Sequence, residues 1–139
     1  MGGRVIDHLK DDAKYTLLCV ENSEAGQARL RKHEMEPQER DDAVRKADVV
    51  ILALPDVVLG KVATEVIPLI KSGGMAFTLD PAAAHAGEIP ERDDISCFVS
   101  HPCHPSVFDH FHTQEELDDF FGGVHARQAI VCALAYGPD

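Results

Sequence analysis

Three places in the sequence carry side chains whose type and spacing suit cofactor binding or catalysis: Glu21, the stretch Ala53-Leu54-Pro55-Asp56, and His101-Pro102-Cys103-His104-Pro105. Glu21 directly follows the apolar run YTLLCV at 15–20 and lies about 20 residues beyond Gly2, which opens a helix-like segment. In nucleotide-binding βαβ units a carboxylate at that spacing accepts hydrogen bonds from the ribose hydroxyls and repels a 2′-phosphate, which selects NAD over NADP. The bland alternative is a solvent-facing strand end, since only the final glycine of a GxGxxG pattern is present. Ala53, Leu54 and Pro55 end the buried-looking run VVILAL, so they should stand at the crevice where a cofactor lies, with their backbone close to it. Ala53 is small enough to leave room for ribose or pyrophosphate, Pro55 stops the strand, and Asp56 can cap the next helix. A plain strand-to-helix turn is the competing reading.

His101, Cys103 and His104 fall within four positions after a predicted strand, a grouping that can bind a metal or move protons. Two prolines fix φ in the same loop and stiffen it. A transition metal there would need further ligands, and histidines hydrogen-bonded to backbone in a tight loop are the alternative. His110 and His112 read as surface residues flanking Phe111, and Glu115, Glu116, Asp118 and Asp119 as the solvated face of a short helix. Asp80-Pro81 ends a strand, and Ala82 to Ala84 are candidates to border a nicotinamide. Gly122-Gly123 reads as a turn before the last strand.

These residues need a scaffold, and apolar patterning supplies one. Near-continuous apolar runs at 15–20, 49–54, 75–79, 95–99 and 128–134 suit strands covered on both faces, as in a parallel sheet. Helix-like stretches at 3–9, 23–33, 41–46 and 57–70 alternate with them. Ser23 is the predicted N-cap of the second, and Gly73-Gly74 closes the fourth. Val58, Leu59, Val62, Val66 and Leu69 recur at three- and four-residue spacing, which marks core. Strands alternating with helices give an α/β, doubly wound, mainly parallel sheet of Rossmann type. Such a fold opens on a strand and a glycine turn, whereas Met1-Gly2-Gly3-Arg4 leads straight into a helix, and Tyr136-Gly137-Pro138-Asp139 reads as a turn leading onward. The expectation is a partial dinucleotide-binding domain over 1–139, cut at both ends.

A chain of 139 residues with 45% hydrophobic and 27% charged side chains fits one globular domain. Its longest apolar run, 49–54, is far too short to cross a bilayer, and with no charged n-region followed by an apolar stretch at its start no signal peptide is expected. A net charge of −11 argues against non-specific nucleic-acid binding. The four cysteines form no CxxC pair and no disulfide framework, so a reducing cytoplasm is expected.

ADVVILALPDVVLGKVATEVIPLIKSGG followed by AFTLDPAAA resembles the nucleotide domains of the 6-phosphogluconate dehydrogenase-like superfamily. Within it, HPCHPSVF and the later FFGGVHARQAIVCALAYGP resemble the D-apionate oxidoisomerase branch of sugar-acid enzymes. The resemblance implies NAD-dependent oxidation of a hydroxyl-bearing sugar acid, coupled to isomerisation of D-apionate in the intact enzyme. Its alternatives are a decarboxylating phosphogluconate-type or other β-hydroxyacid dehydrogenase, an imine reductase, or a non-catalytic NAD-binding domain. Superfamily members open with a GxGGKMG turn, of which Met1-Gly2 match the last two residues, so these two should border the cofactor. A helical C-terminal domain, absent here after Asp139, would complete the active site and carry a homodimer interface. The branch also implies a divalent metal, zinc, with His104 as ligand and His101 as acid/base or loop anchor.

Overall fold

The computed structural model describes every residue except 1, 102–107, 109, 111, 120–122 and 139. Four strands form one sheet in the order β1 (Val49–Leu52), β2 (Met75–Thr78), β3 (Ser96–His101), β4 (Val131–Tyr136). The first three are parallel, and β4 returns antiparallel beside β3 across an irregularity at Cys97/Phe98. Among the described residues, three helices precede the sheet, α1 (Gly2–Leu9), α2 (Glu24–Lys32) and α3 (Arg40–Lys46), and α4 (Asp56–Val66), α5 (Ala82–His85) and α6 (Gln114–Leu117) lie in the links between its strands. From β1 onward, strands and helices alternate in the Rossmann-like α/β order that the sequence predicts. None of the helices is long and apolar enough to cross a membrane, among the described residues.

The core lies on one face of the sheet. Leu52, Ala76 and Cys97 point from successive strands toward Val44 of α3 and toward Leu59, Ala63 and Val66 of α4. The predicted helix over 57–70 divides here. α4 ends at Val66 and a 3₁₀ turn, Ile67–Leu69, follows, because Pro68 lacks the N–H that an α-helical continuation needs. Arg92 seals that end by donating from one nitrogen to the carbonyls of Ile67 (2.9 Å) and Ile70 (2.7 Å), while Asp94 grips the rest of its guanidinium. On the opposite face, alternate residues are less covered. Val49 and Ile51 are exposed, and Phe77 stacks on Phe98 at 5.5 Å between ring centroids.

Several expectations need correction. The run 15–20 forms no strand, because a strand exists through ladder bonds to a neighbour and none pairs with it among the described residues. Its carbonyl at Cys19 instead accepts from the Gln38 N–H at 2.7 Å. Asp56 does not cap α4: Pro55 holds the N-cap position with no side-chain cap bond, and Asp56 is the first helical residue. There its charge still complements the helix dipole. The last strand runs over 131–136 rather than 128–134. Asp119, assigned to a solvated face, is buried and accepts from the His125 and Ala126 N–H groups, each at 2.8 Å.

Candidate functional site

The parallel strands end together. Leu52, Thr78 and Val99 are aligned across β1, β2 and β3, so Leu54, Asp80 and His101 follow two residues later along one edge of the sheet. Asp80 is anchored from both sides. Its Oδ1 accepts from the Ala82 N–H at 2.7 Å, launching α5, and its carbonyl accepts from the fully buried Thr78 hydroxyl at 3.1 Å. Its other carboxylate oxygen stands 3.7 Å from His101 Nδ1, at ion-pair range. A carboxylate beside one imidazole nitrogen favours one orientation of the ring and its charged form.

At the same edge, α1 begins against β1's end. A methyl placed on Gly2 would sit 3.7 Å from the Ala53 Cβ, so the helix start and the strand end are neighbours. In doubly wound sheets, a helix N-terminus beside a strand's carboxyl end is where a pyrophosphate lies. Ala53 is half-buried, and Leu54 and Pro55 are exposed.

Glu21 is held by the start of α2. Its Oε1 accepts from both the backbone N–H and the hydroxyl of Ser23, each at 2.9 Å. The Ser23 oxygen in turn accepts from the Gly26 N–H at 3.0 Å, which makes Ser23 the N-cap, as the sequence predicts. The Ser23 backbone N–H above all, then its hydroxyl, the Asn22 N–H and the charge of Arg29, hold the Glu21 carboxyl below the usual range despite partial desolvation. Beside it opens a groove of about 470 Å³ whose walls include Asn22, Gln38, Glu39, Arg40 and Asp41. The single cation in that lining, Arg40, is committed to Asp41 (2.8 Å) and Glu65 (2.6 Å). The groove therefore presents three carboxylates and an arginine already paired, a poor setting for a second phosphate and a suitable one for hydroxyls.

Thus Gly2 meets Ala53, and His101 meets Asp80. Met1, Cys103 and His104 lie outside the described residues. Among those described, no three His, Cys, Asp or Glu side chains cluster as a metal site. His110 and His112 are exposed. Sequence reasoning missed the partnership of Asp80 with His101, although an Asp-Pro after a strand flags a fixed carboxylate at a strand end. It also missed Gly26, whose role depends on where Glu21 folds.

Comparison with known proteins places this geometry. Over the whole chain, the sequence is 42% identical to the D-apionate oxidoisomerase of Rhizobium rhizogenes and 43% identical to that of Cupriavidus necator. The chain spans about half the length of these curated relatives. A crystal structure of a semialdehyde dehydrogenase NAD-binding protein from Cupriavidus necator, in complex with calcium and NAD, superposes with a TM-score of 0.83 at 42% identity. That match covers 97% of this chain and 49% of the other. Residues 109–139 match the phosphogluconate dehydrogenase (decarboxylating) C-terminal model. A second family model matches residues 4–116, and by that match the chain belongs to the family of the acetohydroxy acid isomeroreductase NADPH-binding domain.

Proposed function

We propose that residues 1–139 are the dinucleotide-binding part of an NAD-dependent oxidoreductase that oxidises a sugar acid, coupled in the intact enzyme to isomerisation of D-apionate. The observation that carries the cofactor choice is Glu21, fixed by Ser23 beside a groove with three carboxylates and one committed arginine. Similarity to D-apionate oxidoisomerases over the whole chain supports the substrate, and the NAD complex of the Cupriavidus protein supports the cofactor. The family model is described by NADPH, so the acidic groove is the feature that argues for NAD within that family.

In this reading Glu21 accepts from the adenosine ribose hydroxyls, while Gly2 and the Ala53 to Pro55 backbone border the pyrophosphate, and Met1 is proposed as a further cofactor contact. NAD, when bound, supplies the hydride acceptor. His101, steadied by Asp80, takes the proton from the substrate hydroxyl as its C–H bond is broken. His104 is proposed as ligand to a divalent metal, with zinc the ion that the resemblance to the oxidoisomerase branch implies; the described residues alone form no such site. Calcium accompanies NAD in the Cupriavidus structure, so metal content should be measured for both ions. A cytoplasmic location suits the free thiols of Cys19, Cys97 and Cys132, and a homodimer in the intact enzyme follows from the resemblance.

The test is an assay of the intact enzyme with D-apionate and either cofactor, followed by absorbance of the reduced nicotinamide. NADH formation that depends on D-apionate is expected. Turnover of 6-phosphogluconate or of a cyclic imine with no activity on D-apionate would replace the substrate assignment. NAD binding without turnover of any of these would favour a non-catalytic sensor.

A further inference from the structure

We infer that Ser23 and Gly26 are positioning residues for dinucleotide choice, together clamping Glu21 so that its carboxylate meets a ribose and excludes a 2′-phosphate. The inference rests on the proposed ribose role of Glu21 and adds what fixes it. A glutamate at a segment end ordinarily samples many rotamers, and a flexible carboxylate discriminates poorly because it can swing away from a phosphate. Here it is tied at three points. Ser23 donates twice to Oε1, through its N–H and its hydroxyl, at 2.9 Å each. The Gln27 amide nitrogen donates to the Glu21 carbonyl at 3.0 Å, so the backbone is fixed from the same helix turn. The Ser23 oxygen meanwhile accepts the Gly26 N–H at 3.0 Å, which aims its hydroxyl proton at Glu21. A carboxylate offers about four acceptor positions, of which Ser23 fills two and the Asn22 N–H takes another, so capacity remains for a ribose hydroxyl.

Gly26 completes the clamp by what it lacks. Any Cβ at this position would overlap the Cδ and Oε2 of Glu21, so the carboxylate lies where a side chain on the helix would otherwise be. The clash is with the end of a flexible side chain, and Gly26 sits inside a helix with no unusual backbone angle. Gly26→Ala should therefore be tolerated by the fold, and should favour the helix, while pushing Glu21 off its station. Stability and cofactor choice are expected to part company, which a merely structural glycine would not do.

The experiment titrates the intact enzyme with adenosine 5′-monophosphate and with adenosine 2′,5′-bisphosphate, reading amide and side-chain NMR shifts of residues 21–27. These probes carry the ribose with and without the 2′-phosphate and do not span the pyrophosphate. Wild type should favour the monophosphate by about tenfold. Ser23→Ala and Gly26→Ala should bring the two affinities within about twofold of each other, with Ser23→Thr retaining the wild-type ratio. The melting temperature of Gly26→Ala should equal or exceed wild type. If Ser23→Ala and Gly26→Ala keep the wild-type ratio, the clamp is overturned while the ribose reading stands. A wild type that binds neither probe, or both equally, overturns the ribose reading and the clamp with it.

Discussion

Glu21 and Asp80 show how a single carboxylate acquires a role from its immediate hydrogen bonds. Glu21 stays ionised to lower pH than an ordinary glutamate because the Ser23 N–H stabilises its charged form, so any cofactor preference it confers should persist into mildly acidic buffer. In the intact enzyme, Glu21→Ser should erode the NAD-over-NADP ratio of kcat/KM by about tenfold or more, roughly 1–3 kcal/mol of discrimination. Equal use of both cofactors by the wild type would remove the basis for that role. Asp80 supports His101 from 3.7 Å, and Asp80→Asn should lower kcat about tenfold to hundredfold with little change in the KM for NAD. An unchanged kcat would return Asp80 to its other task, starting α5 through the Ala82 N–H. At this scale the sequence was partly legible. Spacing points to Glu21 because in nucleotide-binding domains one βαβ unit sets the distance from glycine turn to ribose carboxylate, although 15–20 pairs with no strand among the described residues. Nothing in the spacing reveals Gly26, because its relevance comes from a side chain folding back over a helix turn.

Among the elements, those with long apolar runs flanked by clear stop signals were read well: β1, β2 and β3 start within a residue of expectation or on it. The run 15–20 was not, since its composition is that of a strand and only a partner makes it one. α5 also escaped, being a single turn whose start depends on the Asp80 side chain. The 3₁₀ turn after α4 is held by Arg92, which joins the Ile70 N–H on the Ile67 carbonyl and supplies a side-chain donor to the Ile70 carbonyl beyond it. Arg92→Ala should destabilise the protein by about 2 kcal/mol, seen as a lower urea midpoint with an unchanged slope. Leu59, 1% exposed in the middle of α4, should cost about 2–5 kcal/mol when replaced by Ala. Effects in the opposite order would mean that the helix end, more than its apolar stripe, secures α4 to the sheet.

For the molecule as a whole, acid should be the sensitive direction. Glu21, Glu39, Asp94, Glu116 and Asp119 all have carboxyls held below their ordinary values, chiefly by N–H donors and, at Asp94, by Arg92. A depressed folded-state pKa gives stability that is complete above the unfolded value and lost as pH falls through the folded one. The melting temperature should therefore hold from neutrality to about pH 5 and drop below about pH 4. A melting temperature that rose on acidification would contradict this set of hydrogen bonds. The placement of the core has a further result. Its buried cluster runs from Val44 to Cys97, while α1 and α2 bury only Ile6, Gly26 and Leu30 outside it. Backbone amides should then exchange with deuterium in two tiers. Those of β2, β3 and α4 would open only with global unfolding, and those of α1 and α2 would open locally and orders of magnitude sooner. Ligand at Glu21 would slow the fast tier first, so the part of the molecule proposed to grip the nucleotide is also the part that the nucleotide should quieten.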